Sequence, residues 1–463
     1  MNHAMDHARH ASRFLSRRRL LQIGGLGTLG LSLSKCLEAE TRASEPKDSV
    51  KSNRIQSCIV LYYYGGPSHL DTWDMKPNAP KEVRGDFQSI PTNVPGIRVC
   101  ELMPRCAQIM NKLAVIRSMH HPMRNHNSAA VEALCGRTPL KGDLELLSDD
   151  PNSFPSYGAA LSRLLPNRQE LPSHVALPHV MYNVVQLPGQ NSGFLGASYN
   201  PFQVNRDPNS PDFKVDELQL PADLPLARLE DRQALLGLVE GQLRNSERLA
   251  RQASMTTFQE RAFRILHSDA VRRAFDLGRE SVQMRDRYGR HTLGQSLLLA
   301  RRLVEAGVRF INVNDKIANG QLANWDSHEN NFGRLKNDLL PPADQAFSAL
   351  IEDLGARGIL DTTLVVVLAE FGRTPKVNAH AGRDHWPDCF SVVLAGGGVH
   401  GGIIHGSSDR IGARPSSCPV VPADIIATIY SCLGIPYDME LRDRLNRPFQ
   451  LVPWGNPVPE LLA

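Results

Sequence analysis

The chain has 463 residues, with 52 Lys+Arg against 48 Asp+Glu and 41% hydrophobic content. Aromatics at 6% and charge at 22% are those of an ordinary globular protein, which excludes a disordered or collagen-like chain. The formal charge of +4 sits at one end. Residues 1–43 hold seven basic and three acidic residues, which leaves 45 of each sign in residues 44–463. A neutral body carries no electrostatic footprint for nucleic acid or an acidic membrane.

The first element in the chain is a leader. Ser16-Arg17-Arg18-Arg19-Leu20-Leu21 looks like a twin-arginine export signal, and a Gly-interrupted apolar run, Ile23 to Leu31, follows it. That run is too short and too weakly apolar to span a bilayer, which needs about 20 residues. Thr41 and Ala43 satisfy the small-residue rule for a cut after Ala43. The reading is a 1–43 signal peptide recognised by the twin-arginine translocase, no transmembrane anchor, and a periplasmic or otherwise exported mature chain. Without Cys36 there remain seven cysteines and no CxxC pair, which read as small core residues.

In the mature chain, short apolar runs alternate with helical patterns. Candidate strands are Cys58–Tyr63, Leu113–Arg117, Val308–Val313, Thr363–Leu368 and Phe390–Leu394. Candidate helices are Ala129–Cys135, Leu293–Glu305, Asp338–Ala356 and Ala423–Leu433. Strands that are apolar almost throughout predict a mainly parallel sheet covered on both faces, a three-layer α/β/α fold. Asn127 or Ser128 is placed to cap the first helix, and Gly136 to end it. Residues 200–290, first Pro/Asp-rich and then charged and helix-like, read as a helical insertion within a single 44–463 domain.

Polar clusters fall beside these strands. They are Gly65–Asp74 with His69 and Asp71, Asn324–Asn330 with Asp326 and His328, Glu370–Pro375 with Arg373, and Gly382–Pro387 with Asp384 and His385. Ligands of open α/β sheets bind outside the carboxyl ends of strands, so these clusters are placed to converge. The fourth precedes its strand and has to reach the same rim from a loop. Carboxylates with imidazoles and no thiolates describe a divalent metal site for zinc, manganese or calcium. Arg373 is of the type that pairs with a phosphate or sulfate, and the 119–130 stretch leads into a helix N-terminus that favours an anion.

The order of these motifs resembles the alkaline phosphatase/sulfatase superfamily. More closely it resembles a twin-arginine-exported bacterial branch of it, a domain of unknown function (number fifteen-oh-one). The segments that carry the resemblance are Gly65–Asp71, Asn125–Arg137, Arg301–Val308, Trp325–His328, Ala369–Thr374 and Gly382–Trp386. It implies metal ions holding a phosphate or sulfate ester, with a nucleophile at a helix N-terminus. Asp326, His328, Glu370 and His385 then bind metal, with His69 or Asp71 completing the set. Asp384 binds metal or orients His385. Ser128 or His126 attacks or positions the oxyanion, unless His126 is a ligand or the nucleophile has been lost, and Arg373 neutralises the oxyanion's charge. The chain departs from the superfamily in three places. Tyr64-Gly65-Gly66 replaces an Asp-Gly, Asp326 and His328 are two apart where four is usual, and Phe371 stands where His or Asn is expected. The expected activity is metal-dependent hydrolysis of a small-molecule or saccharide ester. The alternative is a non-catalytic envelope binding protein that retains a partial metal site.

Overall fold

The computed structural model describes residues 55–167, 171–215, 218, 265, 268–315 and 325–463. The predicted leader and most of the predicted 200–290 insertion lie outside these residues.

Eight strands form one sheet among the described residues: β1 (Ser57–Tyr62), β2 (Leu113–Met119), β3 (His174–Leu177), β4 (Phe202–Gln203), β5 (Phe310–Asn314), β6 (Thr363–Leu368), β7 (Phe390–Gly396) and β8 (Ile403–His405). Their spatial order is β8-β2-β7-β6-β1-β5-β3-β4. The pairs are parallel except those of β7, which runs antiparallel to both β2 and β6. The five predicted strands are all present. The short β3, β4 and β8, too brief to show a pattern, were not foreseen.

Every residue of β1 is buried, and the pleat sends alternate side chains to opposite faces. Ile59 and Leu61 pack into one core with helix α3 (Thr292–Ala306) and helix α4 (Leu340–Ala356). Cys58, Val60 and Tyr62 pack into the other with α1 (His126–Cys135), α2 (Tyr157–Leu164) and α5 (Pro422–Cys432). This is the three-layer arrangement that continuous apolar strands predict. Gly136 ends α1 in the left-handed region, as its position suggested. A π-helical turn over Leu335–Leu339 precedes α4, where Pro341 and Pro342 have no N–H to continue the α ladder. Of the seven cysteines after residue 43, five are buried, and all seven are free.

The strands end level. Tyr62 stands opposite Asn314 on one side and Leu368 on the other. Because β7 is antiparallel, its first residue, Phe390, pairs with the last residue of β2, Met119. A segment that precedes β7 therefore emerges at the same rim as segments that follow β1, β2, β5 and β6. The Arg301–Val308 segment serves the fold instead: Arg301 is buried on α3 and ion-paired with Glu280, Glu305 and Asp353.

Candidate metal centre

The rim is assembled around backbone that carries no side chain. Gly65 sits at φ +111, and a Cβ there would lie 2.4 Å from the Asp326 nitrogen. Trp325 N–H donates to the Tyr64 carbonyl at 3.1 Å, and Gly65 N–H donates to Glu370 Oε1 at 2.8 Å. Tyr64-Gly65-Gly66, standing where an acidic residue was expected, thus clamps the two loops that bear Asp326 and Glu370. Gly382 plays a similar part: a Cβ there would run into the His328 carbonyl at 1.8 Å.

Three imidazoles converge on the Asp326 carboxylate. His126, the first residue of α1, has Nδ1 at 2.6 Å from Glu370 Oε1 and Nε2 at 3.4 Å from Asp326 Oδ2. His385 lies in a two-residue ribbon paired with Gly372–Arg373. Its Nδ1 is 2.8 Å from the Arg124 carbonyl, and its Nε2 is 3.3 Å from Asp326 Oδ1. His328 has Nδ1 at 2.8 Å from Asp384, and its Nε2 lies 3.1 Å from Asp326 Oδ1 and 3.0 Å from His385 Nε2. Carboxylates and carbonyls only accept, so these partners assign a proton to each Nδ1, and each Nε2 faces the Asp326 carboxylate, where it needs a proton or a metal ion. Fixing the outer nitrogen on a carboxylate or carbonyl is how proteins orient metal-binding histidines.

The electrostatics follow from that crowding. Burial raises the Asp326 carboxyl, but His126, His328, His385 and Arg373 outweigh it and hold the group far below the ordinary carboxylate range. Burial alone would lower His126; Asp326 and Glu370 instead lift it to about 9. Asp326 raises the part-exposed His328 as well, whereas burial lowers His385 against the pull of Asp326. A cation is thus favoured at the point where the nitrogens meet, whether proton or metal. Ligand atoms of His126, Asp326 and His385 all lie within 4.8 Å of one another. Metal–ligand bonds of about 2.0–2.2 Å place neighbouring ligand atoms roughly 3–3.6 Å apart; His126 Nε2 is at that distance from Asp326 Oδ2 and His385 Nε2 from Oδ1, so the two imidazoles approach opposite oxygens of the carboxylate. His126 Nε2 is buried without a hydrogen-bond partner, a further sign that the residues fit a metal.

The other expected residues divide. Glu370 is fully buried behind His126, and Asp384 lies behind His328, so both hold imidazoles from outside. Arg373 is fully buried; its guanidinium donates to the Gly65, Gly66 and Arg383 carbonyls and to Asp326, so it positions Asp326 and presents no open face to an anion. The structure places three residues away from the cluster. His69 is buried with Nε2 on the Gly412 carbonyl at 2.8 Å. Asp71 is held by Arg383 at 2.7 and 3.1 Å and by Asn331 at 2.9 Å. Ser128 Oγ contacts the Gly142 and Leu144 carbonyls at 3.1 Å and accepts from Leu144 N–H at 2.6 Å. Helical geometry explains it: two residues along a helix is a turn of about 200°, so Ser128 faces away from His126. Phe371, where a ligand was expected, packs its ring against His126 and His385 with centroids at 4.9 and 4.5 Å. Arg383 and the Arg124 carbonyl were not foreseen. Arg383 adjoins Asp384 in the sequence, but nothing there pairs it with Asp71.

Fold and site define an α/β protein with a histidine–carboxylate cluster at the carboxyl ends of its strands. The chain belongs to the family described as "Protein of unknown function (DUF1501)", whose model matches residues 55–462. No curated protein matches it. Among solved structures it is similar to the lipoteichoic acid synthase LtaP from Listeria monocytogenes, at 11% identity over 88% of this chain and 78% of that one, with a TM-score of 0.36. A protein of the alkaline phosphatase superfamily from Vibrio parahaemolyticus matches at 11% identity over 83% and 67%, TM-score 0.40. The PsFucS1 sulfatase from Pseudoalteromonas sp. matches at 14% over 83% and 69%, TM-score 0.36.

Proposed function

We propose that this protein is a metal-dependent hydrolase of phosphate or sulfate esters, exported through the twin-arginine pathway by its 1–43 leader. One observation carries the reading: three imidazoles, each with its Nδ1 tied outward, turn their Nε2 atoms on one carboxylate. His126, Asp326 and His385 hold a divalent metal, zinc or manganese by donor type. Bound metal supplies a Lewis acid for the ester oxygen and lowers the pKa of water. Ser128, the hydroxyl expected to attack, faces the 142–144 loop, so water is the attacking group in this reading. His328, oriented by Asp384 and part-exposed beside Asp326, takes its proton. Arg373 keeps the Asp326 carboxylate in place, and Phe371 closes the apolar side of the site.

The test is metal analysis of the purified mature chain, followed by turnover of 4-nitrophenyl phosphate, bis(4-nitrophenyl) phosphate and 4-nitrophenyl sulfate. Retained metal with turnover that is lost in Asp326→Ala and His385→Ala supports the reading. Absence of metal after reconstitution overturns it. Retained metal without turnover favours the second reading, a metal-containing binding protein of the envelope. The buried guanidinium of Arg373, which leaves no cation of its own for the oxyanion, favours that reading too.

A further inference from the structure

A cavity lies at the opposite end of α1 from His126. Nine residue steps separate His126 from Cys135, which lines this cavity, roughly 14 Å along a helix. Its volume is about 380 Å³, within the range of small-molecule sites. Phe154, Phe194, Phe449 and Trp454 form much of its wall, with Val131 and Leu147. The rings are already organised: Phe194 stacks on Phe449 with centroids 5.2 Å apart and planes at 27°, and Phe154 meets Phe194 edge-on at 5.5 Å. Trp454 is 61% exposed, a large apolar ring at the mouth.

Two cations, Arg137 and Lys141, and two acids, Asp149 and Asp150, line the cavity, and Arg137 is the cation that packs on its rings. The Arg137 guanidinium lies 3.6 Å from the Phe154 centroid and 5.9 Å from that of Trp454. One terminal nitrogen donates to the Gln450 carbonyl, while Nε is buried and has no hydrogen-bond partner. Arg137 forms no ion pair among the described residues. The two lining acids have partners of their own: Asp149 accepts from Gly189 N–H at 2.8 Å and Asn191 at 2.7 Å, and Asp150 from Asn152 N–H at 2.7 Å. Burial lowers Arg137 to about 10, the direction expected for a cation that lacks a counter-charge. A half-buried guanidinium whose buried Nε has an open donor favours an anion, and a wall of rings favours a flat apolar body.

We propose that this cavity binds a small aromatic anion, its ring system against Phe154, Phe449 and Trp454 and its anionic group on Arg137. The site is separate from the metal centre and does not depend on the function assigned to it.

The test uses the full chain and the fluorescent probe 8-anilinonaphthalene-1-sulfonate, with the uncharged N-phenyl-1-naphthylamine as its partner. Saturable one-site binding of the sulfonate is expected. Arg137→Met, which keeps the apolar stem, should weaken the sulfonate about tenfold and leave the uncharged probe within twofold. Trp454→Ala, at an exposed position, should weaken both, and Val131→Trp, which fills the cavity, should remove both. Asp326→Asn should change neither. Thermal melts confirm that each variant is folded; if Val131→Trp is not, Arg137→Met and Trp454→Ala decide the matter between them. Absence of sulfonate binding, or affinity unmoved by Arg137→Met and Trp454→Ala, overturns the proposal.

Discussion

Two Asp–Arg pairs stand near each other in this protein, and they have opposite characters. Asp71 and Arg383 are both fully buried, and the carboxylate is saturated by two guanidinium nitrogens and the Asn331 amide. Arg383 also donates to the Val83, Thr374 and Pro375 carbonyls, so neither partner has an open valence toward a ligand. Asp326 takes one guanidinium contact from Arg373 and is otherwise faced by three imidazoles, with its side chain 26% exposed. A guanidinium or amide keeps its proton at any ordinary pH, whereas an imidazole can exchange its proton for a metal. The first pair is therefore a structural clamp and the second a centre poised for a cation. What separates them is the chemistry of the partners, since both contain the same two residue types.

The sharpest way to break this contrast is to remove the clamp. Arg383→Met leaves the Asp71 charge buried and unpaired, and urea unfolding should show a loss of about 3–5 kcal/mol. A loss below about 1 kcal/mol would erase the distinction. Asp326→Asn should behave in the opposite way. It should lower metal affinity more than 100-fold in competition with a chelating dye, beyond the 10–100-fold typical of a supporting residue, and cost less stability than Asp71→Asn. Equal stability losses in the two Asn variants would mean that both carboxylates are structural.

Smaller effects sharpen the picture of the cluster itself. Glu370→Gln removes the carboxylate behind His126 and should weaken metal binding by about 10–100-fold while the protein stays folded. Asp384→Asn should leave metal content unchanged, because the Asp384 carboxylate bonds His328 and Asn378 and not His126, Asp326 or His385 among the described residues. Under the hydrolase reading it should lower kcat about tenfold with little change in KM. A loss of metal in this variant would instead make His328 a ligand.

Much of the architecture was legible in the chain. The runs at 57–62, 113–119, 363–368 and 390–396 are largely apolar on both alternations, which is what a strand covered on two faces requires; the 310–314 run carries Asn312 and Asn314 on one of them. Gly136 marked a helix end, and the polar clusters marked strand ends. The direction of β7 was not legible, because an antiparallel strand in a covered sheet has the same composition as a parallel one. That direction is what brings His385 to the rim ahead of its strand. Ser128 illustrates the same limit at smaller scale. Its type suited a nucleophile, but the helix begins at His126 and turns the hydroxyl into the 142–144 loop.

By itself, then, the sequence determined the neutral body, the three-layer fold, the rim where chemistry gathers, and most of the residues that meet there. These follow from local periodicity and composition, which act over a few residues at a time. Only the tertiary structure decided that Asp71 is sealed by Arg383, that Arg373 serves Asp326 and is closed to ligands, and that Glu370 stands behind His126. Each of these depends on a partner 47 to 312 positions away along the chain. The character of a carboxylate is set by the protons its neighbours can give up, and neighbours so distant in sequence are chosen by packing.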